Sequence, residues 1–151
     1  MYFSAQIAEV EVDRETGEVT VQRVTTAHDV GTIINPVTHQ GQVNGGFITG
    51  YGLALTEELI QQDGRIVNGH LGDYKMPCIK DIPELQTVLV PSGGGSGPYE
   101  AKAIGELSNN ATAAAIANAV ADAVGIRLFE LPVTAERVYA ALRAKGSLAG
   151  R

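Results

Sequence analysis

Hydrophobic and polar positions alternate at the start of the chain. Over residues 5–12, alanine and valine side chains fall on one face of the segment, and two glutamates fall on the other. A six-residue stretch of turn formers separates this segment from residues 19–27, where β-branched residues are abundant. Alternation with period two indicates half-buried strands, so the pattern predicts a β-hairpin with a longer loop.

A helix is predicted from Asn35 to about Leu55. Asparagine is favoured at the N-cap of a helix and proline at its first position, which matches Asn35 and Pro36. Five glycines lie inside the predicted helix, and glycines spaced by four give a helix a flat face: Gly41, Gly45, Gly46, Gly50 and Gly52. Two interpretations stay open, namely close packing against another helix alone, or such packing together with the approach of a flat ligand.

The middle of the chain alternates between short strands and loops. Residues 56–62 and 66–68, joined by a turn around Asp63 and Gly64, predict a second hairpin. Prolines then break the chain into loop before a strand over residues 85–90. The glycine- and serine-rich residues 92–97 have the composition of a flexible linker.

Two further helices are predicted in the last third. The first is capped by Asn109 or Asn110 and ends before Gly125, and it buries an apolar stripe made of Ala113, Ile116, Ala117, Val120 and Val124. The second begins at Thr134 and ends near Arg143, with a frayed tail over residues 146–151. The predicted class is α+β, with antiparallel hairpin strands in a sheet flanked by a Gly-rich helix, an Ala-rich helix and a C-terminal helix.

Composition narrows the classes of function. The chain has 151 residues and a formal net charge of -6, which weighs against binding to nucleic acid or to an anionic membrane surface. The longest apolar run, residues 111–124, is too short to span a bilayer. The single cysteine, Cys78, excludes an internal disulfide, suits a reducing cytoplasm and is expected to be a small buried side chain. The three histidines are scattered without the spacing of zinc ligands.

The segment Gly97-Pro98-Tyr99-Glu100-Ala101-Lys102-Ala103-Ile104-Gly105-Glu106 is the most informative part of the chain. It places one carboxylate directly after a glycine and shortly before the Ala-rich helix. A glycine beside an acidic residue allows the backbone to approach a bulky ligand while a single base points at it. Glu106 is therefore the candidate catalytic residue, and the alternative is a helix-terminal glutamate that only interacts with the helix dipole.

This segment and two others resemble the molybdenum-binding subunits of the xanthine dehydrogenase and aldehyde oxidase family. Residues 29–36 are similar to the family pattern D-x-G-x-x-[IL]-N-P, residues 41–46 to G-Q-[VI]-x-G-[GA], and residues 97–106 to G-P-[YF]-x-[AS]-K-x-[VI]-G-E. The resemblance implies that Glu106 is the catalytic base and that the residues binding cofactor are Gln42, Lys102, Ala103, Ile104 and Gly105. It also makes residues 92–97 part of an active-site loop. The chain departs from the family at Glu100 and Ala103, and it lacks the proline that commonly follows the catalytic glutamate.

The resemblance further implies a reaction and its partners. Enzymes of this family hydroxylate a carbon of an N-heterocycle or an aldehyde with oxygen from water, and the glutamate takes a proton from a molybdenum-bound hydroxyl. The cofactor is molybdenum-molybdopterin, as such or in its cytosine dinucleotide form, and iron–sulfur clusters and FAD lie on partner subunits. Residues 1–151 are then expected to be the C-terminal segment of the molybdopterin-binding domain, a fragment of a longer large subunit. The isolated chain is expected to be inactive, and the full enzyme is expected to be oligomeric.

Two other functions compete with this one. A non-catalytic structural or assembly module could keep the same fold, although such a scaffold has no need of both Glu106 and Gln42. A stand-alone dinucleotide-binding domain would explain the glycines. It is disfavoured because Gly45, Gly46, Gly50 and Gly52 lie within a predicted helix, and the dinucleotide fingerprint requires a turn between a strand and a helix.

Overall fold

A computed structural model describes residues 1–149, and nothing is described for residues 150 and 151. Five strands and three α-helices follow one another within residues 1–149. In order they are β1 Ser4–Val12, β2 Val19–Gly31, α1 Pro36–Leu55, β3 Gln61–Gln62, β4 Arg65–Ile66, β5 Glu84–Pro91, α2 Thr112–Val124 and α3 Ala135–Ala149. The predicted α+β class is confirmed.

The main sheet has the strand order β1-β2-β5. The hairpin of β1 and β2 is antiparallel as predicted, with an irregular register between Glu9 and Val10. The pairing of β5 with β2 is parallel, so the sheet is mixed and does not consist of hairpin strands alone. The long connection through α1 returns the chain in the direction of β2, which a hairpin turn cannot do. β2 also runs four residues beyond its predicted end at Ala27.

Helices α1 and α2 pack together and, with the sheet, enclose one hydrophobic core. Its centre is formed by side chains that are almost completely inaccessible, including Val24, Phe47, Ile116, Val120 and Val138. The predicted apolar stripe of α2 follows the structure, because Ile116, Val120 and Val124 are buried in this core. Helix α3 begins against the β1–β2 turn, where Gly17 has a φ of 80° and leaves no room for a Cβ beside the Ala135 carbonyl.

The predicted N-terminal cap of α1 agrees with the structure, whereas the predicted N-terminal cap of α2 does not. The Asn35 side chain accepts hydrogen bonds from the amides of Val37 and Thr38 at 3.0 and 3.2 Å, as its predicted N-cap role requires. The predicted asparagine cap of α2 is wrong, because the helix begins at Thr112 after Ala111, with no side-chain cap. Asn109 instead accepts the Thr112 amide through its own carbonyl, at 3.2 Å, within a preceding turn.

Three other predictions need correction. The second hairpin exists, but its strands have two residues each, around Asp63 and Gly64 with φ of 49° and 76°. The last helix continues to Ala149, so the predicted frayed tail is wrong up to that residue, and the rest of that tail lies outside the described residues. Cys78 is exposed, because it lies in an irregular segment between β4 and β5 that contributes little to the core.

Within residues 1–149, no helix has the length and apolar character needed to cross a membrane.

Candidate functional site

Glu106 lies on an exposed turn between the glycine-rich residues 92–97 and helix α2. Its backbone carbonyl accepts the Asn109 amide at 3.3 Å, which shapes the turn. Among the described residues, its carboxylate has no hydrogen-bond or ion-pair partner. The preceding Gly105 faces open space, since a Cβ built there meets no atom within 4 Å. The carboxylate is thus presented to the surface on a backbone that leaves room for a ligand.

Gln42 lies on an exposed stripe of helix α1. Gly41 and Gly45 are its neighbours on this stripe, and a Cβ built at either position meets nothing within 4 Å. The side chain of Gln42 is exposed and projects from this flat surface. A primary amide can both donate and accept hydrogen bonds, so this stripe offers a flat contact surface with one polar group on it.

Ser108 connects the two candidate residues. This side chain is completely buried, and its hydroxyl donates to the backbone carbonyl of Gln42 at 3.3 Å. The backbone carbonyl of Ser108 accepts a hydrogen bond from Nε2 of the Gln6 side chain at 2.6 Å, which adds a link to strand β1. The turn that carries Glu106 is therefore fastened to α1 at the residue predicted to contact the cofactor.

Two further glycines of α1, Gly46 and Gly50, face residues that pack closely against the helix. A Cβ at Gly46 would lie 1.8 Å from the Ser108 hydroxyl oxygen, and one at Gly50 would lie 2.6 Å from the Thr112 Cβ. Both distances are far below van der Waals contact, so close packing requires glycine at these two positions. We call Gly46 and Gly50 the glycine notch. The open positions 41 and 45 have no such packing partner.

Lys102 lies in an ion pair under the same segment. Its ammonium is 2.7 Å from an Asp29 carboxylate oxygen, and the two side chains are only 12% and 14% exposed. The Ser92 hydroxyl donates to the same carboxylate, and the Gly31 amide donates to it at 3.3 Å. The hydrogen bonds from Lys102 and Ser92 lower the pKa of Asp29 to about 2. The charge of Lys102 is therefore already balanced within the chain, and its predicted contact with the cofactor stays a prediction.

The glycine-rich run forms a compact loop that folds back on itself. A Cβ at Gly95 would lie 1.9 Å from the Glu100 carbonyl oxygen, and one at Gly97 would lie 2.8 Å from the Ala101 carbonyl oxygen. The loop is also fastened to β2, because the Ser92 amide donates to the Gly31 carbonyl at 3.2 Å. These close approaches explain Gly95 and Gly97 without a flexible linker between domains.

A cleft of about 520 Å³ opens between this loop and the first two residues of the chain, and Lys102 and Ala103 line part of it. The Tyr2 hydroxyl in this cleft is hydrogen-bonded to Nδ1 of His28, and Nε2 of His28 is 2.6 Å from the Thr26 hydroxyl. Burial lowers the pKa of His28 and raises the pKa of Tyr2. The buried imidazole therefore takes up a proton less readily than a histidine in water does.

Sequence reasoning missed the residues that hold the site in place. Asp29 was visible only as the first letter of a motif, and its partner lies 73 positions later. Ser108 fell in the stretch where the chain departs from the family pattern, so nothing singled it out. His28 counted as one of three scattered histidines. Among the described residues, no three His, Cys, Asp or Glu side chains gather closely enough to hold a metal ion.

Comparison with known proteins identifies relatives of this architecture. Residues 1–83 match the family model described as a molybdopterin cofactor-binding domain. The chain is 39% identical over 139 residues to a putative xanthine dehydrogenase molybdenum-binding subunit of Escherichia coli, and 37% identical over 145 residues to a nicotinate dehydrogenase subunit of Pseudomonas putida. These alignments cover 91% and 95% of this chain.

A solved structure gives the same result. The aldehyde oxidoreductase of Desulfovibrio gigas superposes with a TM-score of 0.86 at 37% identity, over 94% of this chain. The chain spans 15% of that protein, and 18% and 12% of the two sequence relatives. It therefore matches less than a fifth of the length of each of them.

Proposed function

The chain belongs to the family of molybdopterin cofactor-binding domains found in xanthine dehydrogenases and aldehyde oxidoreductases, and we propose that it forms one wall of the cofactor site of such an enzyme. In this proposal, residues 1–151 are the C-terminal segment of the molybdopterin-binding domain of a longer large subunit. The complete enzyme hydroxylates a carbon of an N-heterocycle or an aldehyde with oxygen from water. The chain spans only 18% and 12% of the two sequence relatives, which supports placing it within a longer subunit.

The surface around Gln42 fits a flat pterin cofactor. Gly41 and Gly45 leave the α1 stripe without side chains, so a planar ring system can lie against it. The Gln42 amide can donate to and accept from the polar edge of a pterin. The pterin's dithiolene holds the molybdenum, so the lack of a three-ligand cluster in the described residues does not conflict with this fit. The cofactor is molybdenum-molybdopterin or its cytosine dinucleotide form.

Residues 103–105, which follow Lys102, form the rest of the proposed wall of the cofactor site. Ala103 and Gly105 are exposed and Ile104 is half-buried, so their backbone groups can approach the cofactor. Lys102 contributes its stem and backbone to the cleft, and its charge is shared with Asp29. Partner subunits with iron–sulfur clusters and FAD then carry the electrons away. We place this enzyme in the cytoplasm, a location that the single cysteine supports.

Glu106 is the general base in this proposal. When bound, the cofactor supplies an electron acceptor and makes the attacking oxygen more acidic. The Glu106 carboxylate accepts the proton that this oxygen releases. A general base must reach the proton that it removes, and a base without an internal partner is free to do so. The observation that carries the proposal is that Ser108 joins the exposed Glu106 turn, whose carboxylate has no partner within residues 1–149, to the glycine-lined face that bears Gln42.

The test is Glu106→Gln in the complete enzyme. This change keeps the shape of the side chain and removes the base, so turnover per bound molybdenum should fall by roughly 10²–10⁴-fold. Cofactor content should stay the same, because the variant changes no packing. Glu100→Gln, on the same loop, is the matched control and should retain turnover. Near-normal turnover in Glu106→Gln with full molybdenum occupancy would show that the base is another residue.

Gln42→Ala separates cofactor binding from catalysis. Losing the amide should lower the molybdenum content of the purified enzyme, while turnover per bound molybdenum changes less. Gln61→Ala, an exposed glutamine in the β3–β4 hairpin, is the control. Unchanged molybdenum content in Gln42→Ala would remove this residue from the proposed cofactor contacts.

A further inference from the structure

Ser108 is a small polar side chain that is completely buried two residues after the proposed base. Its hydroxyl donates to the Gln42 carbonyl at 3.3 Å. Its own backbone carbonyl accepts hydrogen bonds from Nε2 of the Gln6 side chain at 2.6 Å and from the Thr112 hydroxyl at 3.3 Å. One residue thus joins strand β1, helix α1 and the first residue of helix α2.

The Gly46 half of the glycine notch accommodates this serine. A Cβ at position 46 would lie 1.8 Å from the Ser108 hydroxyl oxygen and 3.0 Å from its Cβ. Rotation about the one side-chain bond of Ser108 could move the hydroxyl away, but it would break the hydrogen bond to the Gln42 carbonyl, and it would leave the Ser108 Cβ in place. The pair allows the turn to approach α1 closely enough for the hydroxyl to reach a backbone carbonyl.

A carbonyl inside a helix already accepts the amide four residues later, so a second donor bonds the helix at one specific position. Here the carbonyl that receives the second hydrogen bond belongs to Gln42, the residue proposed to contact the cofactor. The hydrogen bond therefore fixes where the Glu106 turn lies along the α1 axis and how it is rotated about that axis relative to Gln42. Simple filling of space would need the volume of the serine but not its hydroxyl.

We propose that Ser108 is a positioning residue, which acts through its bond to the Gln42 carbonyl and holds the base in register with the cofactor wall. This inference rests on the proposed function. The geometry of a reacting pair is demanding, and a misplacement of about 1 Å can cost about 10²-fold in rate. Loss of the hydroxyl should therefore lower kcat much more than it changes the molybdenum content.

The first experiment measures amide hydrogen exchange on the 151-residue chain. Ser108→Ala keeps the Cβ and removes only the hydroxyl, so exchange over residues 105–111 should become at least about tenfold faster. Thr20→Ala, which removes an exposed hydroxyl from β2, should leave these rates unchanged. Equal exchange in Ser108→Ala and the parent chain would overturn the proposal.

The second experiment measures kinetics in the complete enzyme. Ser108→Ala should lower kcat per bound molybdenum by about 10- to 10²-fold with a smaller change in KM. An unchanged kcat would overturn the proposal. Glu106→Gln, measured in parallel, keeps the two claims apart. An inactive Glu106→Gln beside a fully active Ser108→Ala rejects only the positioning role, whereas an active Glu106→Gln rejects the proposed base.

A pair of compensating substitutions tests whether a loss of kcat comes from misfolding or from the missing hydroxyl. Gly46→Ala alone should lower the unfolding temperature, and Gly46→Ala combined with Ser108→Gly should recover it, because removing the serine side chain frees the space that the new methyl needs. The double variant lacks the hydroxyl, so kcat should stay low although the fold is restored. Full recovery of kcat would mean that volume alone matters, and the positioning role would be rejected.

Discussion

The segment that carries Glu106 is fastened at both ends, and by different physical means. Its entry, from Ser92 to Lys102, is held to β2 by a mostly buried ion pair with Asp29. Its exit, at Ser108 and Thr112, is held to α1 by the glycine notch and by hydrogen bonds between uncharged groups. Between the two attachments, Glu106 remains exposed and unpartnered within the described residues.

The entry is therefore held mainly by charge, and the exit mainly by close packing. An ion pair depends on protonation and, where it is exposed, on salt, whereas close packing depends on volume. The residues of the exit, Gly46, Gly50, Ser108 and Thr112, carry no titratable side chain. The entry should therefore respond to pH and the exit only to changes in size. In the proposed enzyme, the base is closer in sequence to the attachment that pH does not affect.

Overpacking the exit should have the largest effect on stability. A Cβ at position 50 would lie 2.6 Å from the Thr112 Cβ and 3.0 Å from the Asn109 carbonyl oxygen. Gly50→Ala should therefore lower the free energy of unfolding by roughly 1–3 kcal/mol. Urea denaturation followed by circular dichroism measures this quantity.

Gly45→Ala is the matched control on the same helix. The Cβ there meets nothing within 4 Å, so only the helix preference of alanine acts, and the variant should gain about 0.5–1 kcal/mol. Opposite signs for the two variants would support the division of the glycines into packed and open positions. Equal effects would show that the notch contributes no more than backbone propensity.

The elements could be predicted from the sequence where local pattern decides them. The Asn35 cap, the β1–β2 hairpin and the apolar stripe of α2 are local features, and the structure confirms each of them. The parallel pairing of β5 with β2 joins residues about 60 positions apart, and no local pattern specifies it. Motifs could indicate Glu106 and Gln42, but the attachments through Asp29 and Ser108 depend on tertiary contacts, which a single sequence does not show.

Breaking the ion pair tests the entry. Asp29→Asn removes the carboxylate and leaves the mostly buried Lys102 ammonium without its charge partner, which is costly for groups of low exposure. Amide exchange over residues 92–102 should become faster, while exchange at the exit changes little. Glu9→Gln, which breaks the exposed ion pair with Arg23, is the control and should have a smaller effect.

Acid titration sharpens the same test. The pKa of Asp29 is about 2 in the folded chain, below its ordinary value of 3.8. Its contribution to stability is therefore fully present above pH 3.8 and is lost as the pH falls towards 2. Asp29→Asn should lack this acid-dependent loss. An identical slope of stability against pH in the two proteins over this window would mean that the ion pair does not stabilise the fold.

The smallest expected effect belongs to His28, which lies one residue before Asp29 and is buried below the entry. Burial lowers its pKa from the ordinary value of 6.5, so the unfolded chain takes up a proton more readily than the folded chain does. The neutral imidazole therefore costs no stability above pH 6.5, and stability falls as the pH drops below 6.5 towards the lowered value. His28→Gln can still meet the Tyr2 and Thr26 hydroxyls but does not titrate, so thermal unfolding should show a flatter pH profile just below 6.5. The same slope in His28→Gln and the parent would assign that pH dependence to other groups, leaving Asp29 as the titrating attachment at the entry.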